Sequence, residues 1–264
     1  MILVCDVGNS ETTLGVYEGD ALRAHWRIMT DVPRTADEFG LLLRQILIDD
    51  GVNPTHITGA SIASVVPRVT APLVTACKAW LHDKPVVLVD GSSRLPITLD
   101  VEEPLTVGAD RIANMLAASQ LFHRDTIVVD LGTATTFDCI TGDGVFIGGV
   151  IAPGVLMMLD ALSRRTAKLP ATELALPKHV IGRRTEENIR SGVIYGAADA
   201  IDGLVRRIKN EWPRPAAPMV IGTGGLSETF QPLCRELEQV DPFLTLRGLQ
   251  LAFALLSPSE VVRS

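Results

Sequence analysis

The chain carries one short pattern twice, at its start and again near its middle. Ile2-Leu3-Val4-Cys5-Asp6-Val7-Gly8-Asn9 is echoed by Ile127-Val128-Val129-Asp130-Leu131-Gly132-Thr133, and each runs on into a threonine pair, Thr12-Thr13 and Thr135-Thr136. Each copy reads as an apolar strand ending in Asp-x-Gly, a tight turn, and a second strand. A strand–turn–strand unit at the head of each half implies a duplicated α/β architecture, two similar domains facing one another. The length of 264 residues suits two domains, and 47% hydrophobic with 21% charged residues excludes a disordered chain.

The elements between the two copies follow the same logic. Thr12–Tyr17 and Ala21–Arg27 read as strands that make an antiparallel meander with the first. Thr35-x-x-Glu38 has capping-box spacing, with Phe39, Leu42, Leu43, Ile46 and Leu47 at helical intervals behind it. A strand at Ile57–Ala63, a helix over 68–81 and a strand at Val86–Val89 complete the first set. Ser92–Val107, with Pro96 and Pro104, reads as an irregular connection, and a helix starts near Gly108. In the second half, a strand at Val145–Ile151 is followed by Pro153-Gly154 and a helix to Leu162. An amphipathic helix over about 186–209 carries Ile189, Val193, Ala197, Ile201, Leu204 and Ile208. A strand at Met219–Gly222 leads into Thr223-Gly224-Gly225 and a helix, and a last helix spans Arg247–Leu255. The domains are expected at 1–114 and 115–264, with the last helix free to pack back on the first.

Charge and cysteine usage narrow the classes of function. Lys+Arg is 24 against Asp+Glu 31, a formal net charge of −7 that argues against nucleic-acid or anionic-membrane binding. Cys5, Cys77, Cys139 and Cys234 form no C-x-x-C pair and read as buried free thiols of a reducing compartment. The opening apolar run is cut short by Asp6 and has no basic leader, so it does not read as a secretory signal. The apolar stretch Val145–Leu159 is interrupted by Gly148-Gly149 and Pro153-Gly154, unlike a membrane span. A cytoplasmic protein is expected.

Three glycine-containing turns could carry chemistry. At Asp6-Val7-Gly8-Asn9, Gly8 permits close approach of a ligand, N–H groups and polar side chains could receive phosphate oxygens, and Asp6 could hold Mg²⁺. The plainer reading is a turn whose Asp and Asn satisfy their own backbone. Asp130-Leu131-Gly132-Thr133 offers a cation ligand in Asp130 and hydroxyls in Thr133 and Thr135. Gly222-Thr223-Gly224-Gly225 is either a simple turn or an approach for a nucleoside; Ser227 stands where a dinucleotide fingerprint needs its third glycine. No G-x-x-x-x-G-K-[ST] occurs, which excludes a P-loop.

Together these turns resemble the phosphate-one, phosphate-two and adenosine motifs of the superfamily of actin, sugar kinases and heat-shock chaperone ATPases. Within it the chain resembles the type III pantothenate kinases. That resemblance rests on Asp6-Val7-Gly8-Asn9-Ser10 with Gly15, Gly108-Ala109-Asp110-Arg111, and Asp130-Leu131-Gly132-Thr133-Ala134-Thr135-Thr136. It continues through Gly148-Gly149, Ala152-Pro153-Gly154, Thr185 ahead of Ser191-Gly192, and Gly222-Thr223-Gly224-Gly225. The resemblance implies two duplicated ribonuclease-H-like (actin-like ATPase) domains with a cleft between them. It implies ATP-dependent phosphorylation of pantothenate, the first step of coenzyme A biosynthesis.

The same resemblance implies the site. Asp110 would be the general base, and Gly108, Ala109, Asp110, Arg111 and Thr185 would contact pantothenate. Asp6, Val7, Gly8, Asn9, Ser10, Glu11, Thr12 and Thr13 would hold the ATP phosphates, with Thr133 also on ATP. Mg²⁺ would sit near Asp6 and a monovalent cation, K⁺ or NH₄⁺, on Asp130; a homodimer is implied as well. A carboxylate at a helix start is expected to stay ionised. The family's Tyr-x-Asn-Pro run is replaced by Val101-Glu102-Glu103-Pro104, without the aromatic and the amide. Thr185 is also a candidate N-cap, Asp110 could simply stabilise its helix, and the Ile189–Ile208 stripe could serve its own core or a dimer. The alternatives in function are a non-catalytic accessory protein of this fold and a kinase or phosphatase for another small substrate.

Overall fold

A computed structural model describes residues 1–257; positions 258–264, the end of the expected second domain, lie outside the described residues. The first unit opens with β1 (Ile2–Val7), β2 (Glu11–Glu18) and β3 (Ala21–Met29). Next come α1 (Ala36–Asp49), β4 (Ala60–Ser64), α2 (Pro67–Leu81), β5 (Val86–Val89), a two-residue β6 (Thr98–Leu99) and α3 (Ala109–Phe122). Its sheet has the order β3-β2-β1-β4-β5. The β1–β2 and β2–β3 pairs are antiparallel, while β4 and β5 add in parallel.

Alternation along β1 fixes which face meets which layer. Leu3, Cys5 and Val7 are fully buried in a core with Phe39, Leu43 and Leu47 of α1 and Leu73, Cys77 and Leu81 of α2. Val4 and Asp6 therefore turn to the opposite face. At its N-terminus α1 has both bonds of the expected capping box, Thr35 Oγ1 accepting from Glu38 N and Glu38 Oε2 accepting from Thr35 N. The strand expected from Ile57 starts at Ala60, because Asn53 caps a short 3₁₀ turn, Pro54–His56, ahead of it. Between 92 and 107 the chain is irregular apart from β6 and one 3₁₀ turn at Pro104–Thr106.

The second unit repeats the first strand for strand. β7 (Thr126–Leu131), β8 (Ala134–Ile140) and β9 (Val145–Pro153) form the meander; α4 (Val155–Arg165) and α5 (Thr185–Glu211) lead to β10 (Met219–Thr223). Its strands run in the order β9-β8-β7-β10-β11, β11 being Gln239–Val240, with the same antiparallel and parallel senses. Ile189, Val193, Ala197, Ile201 and Val205 of α5 pack with Val155 and Leu159 of α4 onto Ile127, Val129 and Phe137. The α5 stripe is thus buried in its own unit's core. Where a full helix was expected after Gly225, α6 (Ser227–Phe230) makes a single turn.

The chain divides into Met1–Gln120 with the segment from Leu244, and Leu121–Phe243. A boundary at 114/115 would cut the middle of α3. The last helix, α7 (Leu244–Leu256), belongs to the first unit and lies on the β1–β4 face opposite α1 and α2. There Thr245 Oγ1 donates to Asn114 Oδ1 at 2.8 Å, both residues buried, and Gly248 lies directly against the Ala113 carbonyl. All four cysteines are buried and free. Among the described residues, no helix is long and apolar enough to cross a membrane.

Candidate active site

In the first unit the candidate residues gather at the end of β1. Asp6 lies in register with Thr13 of β2 and Ala63 of β4, where the parallel strands finish, the usual place for ligands in such sheets. The hairpin tip is Gly8–Glu11, closed by Gly8 N–H donating to Glu11 O at 3.1 Å. A Cβ at Gly8 would stand 3.0 Å from that same oxygen, so glycine is what lets the turn close. Asn9, Ser10 and Glu11 are exposed, whereas Thr12 is buried with its hydroxyl on Thr30.

The start of α3 is brought to the same place by Val65. Its N–H donates to Val7 O at 3.1 Å, and its Cγ1 lies 3.4 Å from where a Cβ on Gly108 would be. The Asp110 carboxylate folds back over Gly108: Oδ1 would be only 2.5 Å from such a Cβ. The same oxygen accepts the Arg111 N–H at 2.8 Å. Burial pushes the Asp110 carboxyl above the ordinary aspartate value, while the Arg111 N–H and guanidinium pull against it. The helix start does not keep this group at its ordinary pKa; desolvation outweighs it. A carboxylate held this way is a stronger proton acceptor than a solvated one. Val65 was not among the expected residues, and no local signal distinguishes it from any other strand-end valine.

In the second unit the matching cluster surrounds Asp130. It is in register with Thr136 of β8 and Thr223 of β10. Gly132 N–H donates to Ala134 O at 3.1 Å, closing the second hairpin. Gly224, at φ +85°, lies against Asp130 Oδ1, and a Cβ there would be 2.9 Å from Leu131 C and O. Gly154 packs on the Gly132 and Thr133 carbonyls. Glycines from three separate elements therefore let main chain close around one carboxylate and its hairpin. The Thr223 hydroxyl is buried without a hydrogen-bond partner.

Thr185 lies elsewhere in the second unit, exposed at the first position of α5. It is not the N-cap; Arg184 is, without a side-chain cap bond, and Glu187 instead reaches back to accept from Arg183 N at 2.8 Å. Among the described residues, no three His, Cys, Asp or Glu side chains converge as a metal cage. Single carboxylates beside hydroxyls suit a cation that brings phosphate oxygens as its other ligands. A cavity of about 490 Å³ opens at the far end of β7, lined by Arg124, Asp125, Arg214 and Pro215, away from Asp130.

Two copies of this strand order, each presenting a carboxylate at its central hairpin, define the ribonuclease-H-like fold of actin-like ATPases and sugar kinases. The ROK hexokinase of Thermus thermophilus shares it at a TM-score of 0.51 and 14% identity, over 95% of this chain and 97% of that one. The model of the type III pantothenate kinase family matches residues 2–207. A type III pantothenate kinase of Acidothermus cellulolyticus is 44% identical over 253 residues, 96% of this chain and 98% of that protein. One of Anaeromyxobacter dehalogenans is 42% identical over 252 residues, 95% of this chain and 98% of that protein. The chain belongs to the type III pantothenate kinase family.

Proposed function

We propose that this protein transfers the γ-phosphoryl group of ATP to the primary hydroxyl of pantothenate, giving 4′-phosphopantothenate and ADP, the first step of coenzyme A biosynthesis. The geometric observation that carries the reading is the desolvated Asp110 carboxylate at the start of α3, tied through Val65 to the hairpin that follows Asp6. Asp110 accepts the hydroxyl proton as that oxygen bonds to the γ-phosphorus, the bond from phosphorus to the bridging oxygen breaks, and ADP leaves. Phosphoryl transfer asks little covalent chemistry of a protein, so positioning and charge neutralisation supply most of the rate.

The hairpin from Asp6 to Thr13 holds the ATP phosphates, and the Thr133 hydroxyl contributes to the same nucleotide. Gly108, Ala109, Arg111 and Thr185 contact pantothenate. Asp6 would hold Mg²⁺, and Asp130 a K⁺ or NH₄⁺ ion; such ions supply charge neutralisation around the polyphosphate. One-carboxylate donor sets beside hydroxyls support both assignments. The reading extends to the cytoplasm, supported by four buried free thiols. It extends also to a homodimer, supported by the exposed apolar side chains Ile151, Leu156, Met157, Val180 and Ile181 of the second unit; light scattering tests it.

The decisive assay is ADP release from purified protein with and without pantothenate. Turnover requires pantothenate, and Asp110→Asn lowers kcat by about 10²–10⁴ while ATP binding persists. Absence of pantothenate-stimulated ADP release would remove the proposal.

A further inference from the structure

A buried pair of threonine hydroxyls in the first unit ties the hairpin to a residue outside it, Thr30. Thr12 Oγ1 and Thr30 Oγ1 lie 2.8 Å apart, and each residue is only 1% exposed. Thr12 is the second residue of β2, just past the hairpin tip, and Thr30 directly follows β3. The Thr30 main-chain N–H also donates to Ser10 O at 3.0 Å. One residue therefore grips the tip twice, by main chain at Ser10 and by side chain at Thr12.

The double grip sets the orientation of a peptide group. A peptide is planar and trans, so its C=O and N–H point in opposite directions. With the Ser10 carbonyl turned toward Thr30, the N–H of Glu11 in the same peptide is turned away from β3. Gly8 N–H is meanwhile held by Glu11 O at 3.1 Å. The turn beyond Thr30 is itself braced: Arg34 Nη1 donates to Met29 O at 2.9 Å and to Val32 O at 3.3 Å, with its guanidinium 5.8 Å from the Phe39 ring centre. The tip is thus positioned from the β3 side by groups that a nucleotide on the hairpin need not touch.

We propose that Thr30 is a positioning residue for the ATP phosphates, holding the Ser10–Glu11 peptide in the orientation that presents the hairpin to phosphate oxygens. This rests on the reading of the Asp6–Thr13 hairpin as the phosphate grip. A hydroxyl pair inside the protein is a stronger constraint than one in water, and removal of one member leaves the other buried without a partner.

The test compares Thr30→Val with Thr30→Ser, varying ATP and pantothenate separately in steady state and titrating ATP by calorimetry. Thr30→Val raises KM for ATP about tenfold and weakens ATP binding to match, with KM for pantothenate within about twofold. Thr30→Ser, which keeps the hydroxyl, stays within about twofold of the parent on both. A residue that only supports the fold would lower the melting temperature and leave KM for ATP alone; that result, or an equal rise in both KM values, overturns the proposal. Should Thr30→Val fail to fold, Thr12→Val/Thr30→Val, which strands no buried hydroxyl, is judged by the same split between the two KM values. A parent protein that turns over pantothenate but shows its ATP contacts elsewhere sinks the hairpin reading. Parental ATP affinity in a folded Thr30→Val sinks only the role of Thr30.

Discussion

Gly108→Ala is the smallest change that should disable the proposed base without removing it. The added Cβ would stand 2.5 Å from Asp110 Oδ1, and ordinary contact begins near 3.4 Å, so the carboxylate must retreat by about 0.9 Å. Val65 Cγ1, at 3.4 Å, would already be in van der Waals contact with the new methyl. A displacement of about 1 Å in a reacting group costs on the order of 10²-fold in rate, or about 2.7 kcal/mol of transition-state stabilisation. The fold is disturbed far less. Gly108 is not at positive φ, and replacing glycine by alanine at a helix start costs about 1 kcal/mol, or roughly 2–4 °C in Tm for a chain of this size. The assay pairs steady-state ADP release with a thermal melt and an ATP titration on the same preparation. The expected outcome is kcat down about a hundredfold, Tm down a few degrees and ATP affinity unchanged. A variant that melts as expected and keeps kcat within about threefold of the parent would refute the link between the position of this carboxylate and turnover.

The raised pKa of Asp110 has two consequences. The base is lost to protonation as pH falls, so kcat/KM fails at a higher pH than an ordinary aspartate would set, read from a pH–rate profile. For stability the sign is opposite: the folded state binds this proton more tightly than the unfolded chain, so the group's contribution declines as pH rises from the ordinary aspartate value through the raised one. Asp110→Asn, though nearly inactive, should therefore melt above the parent at neutral pH, by about 2–4 °C for each kcal/mol of relieved desolvation; a lower Tm would contradict the burial argument. Gly248→Ala places a methyl on the Ala113 carbonyl and forces α7 away from α3, costing about 1–3 kcal/mol in denaturant unfolding. Parental stability in that variant would mean the two helices are not in close contact. Thr35→Ala removes one half of the capping box of α1 and should cost about 1 kcal/mol with no change in kcat.

What the amino-acid sequence by itself determined here is the repeated unit and nearly every element in it. Strand alternation in Ile2–Val7, the Asp-x-Gly turns after β1 and β7, the Thr35–Glu38 box and the amphipathic spacing along α5 are written in neighbouring residues, so neighbours suffice to read them. Residue types at the hairpins pointed to phosphate chemistry for the same reason. Tertiary structure alone decided the rest. Val65 joins Val7 to Gly108 across distant parts of the chain, and Gly154 and Gly224 close around the second hairpin from two other elements. The return of α7 to the first unit, the burial of the α5 stripe in its own core and the Thr12–Thr30 pair are likewise contacts between distant residues. The raised pKa of Asp110 could not be read from sequence, because the helix start is a local feature and desolvation is not. Local pattern specifies which elements form; how far a side chain is removed from water depends on everything packed around it.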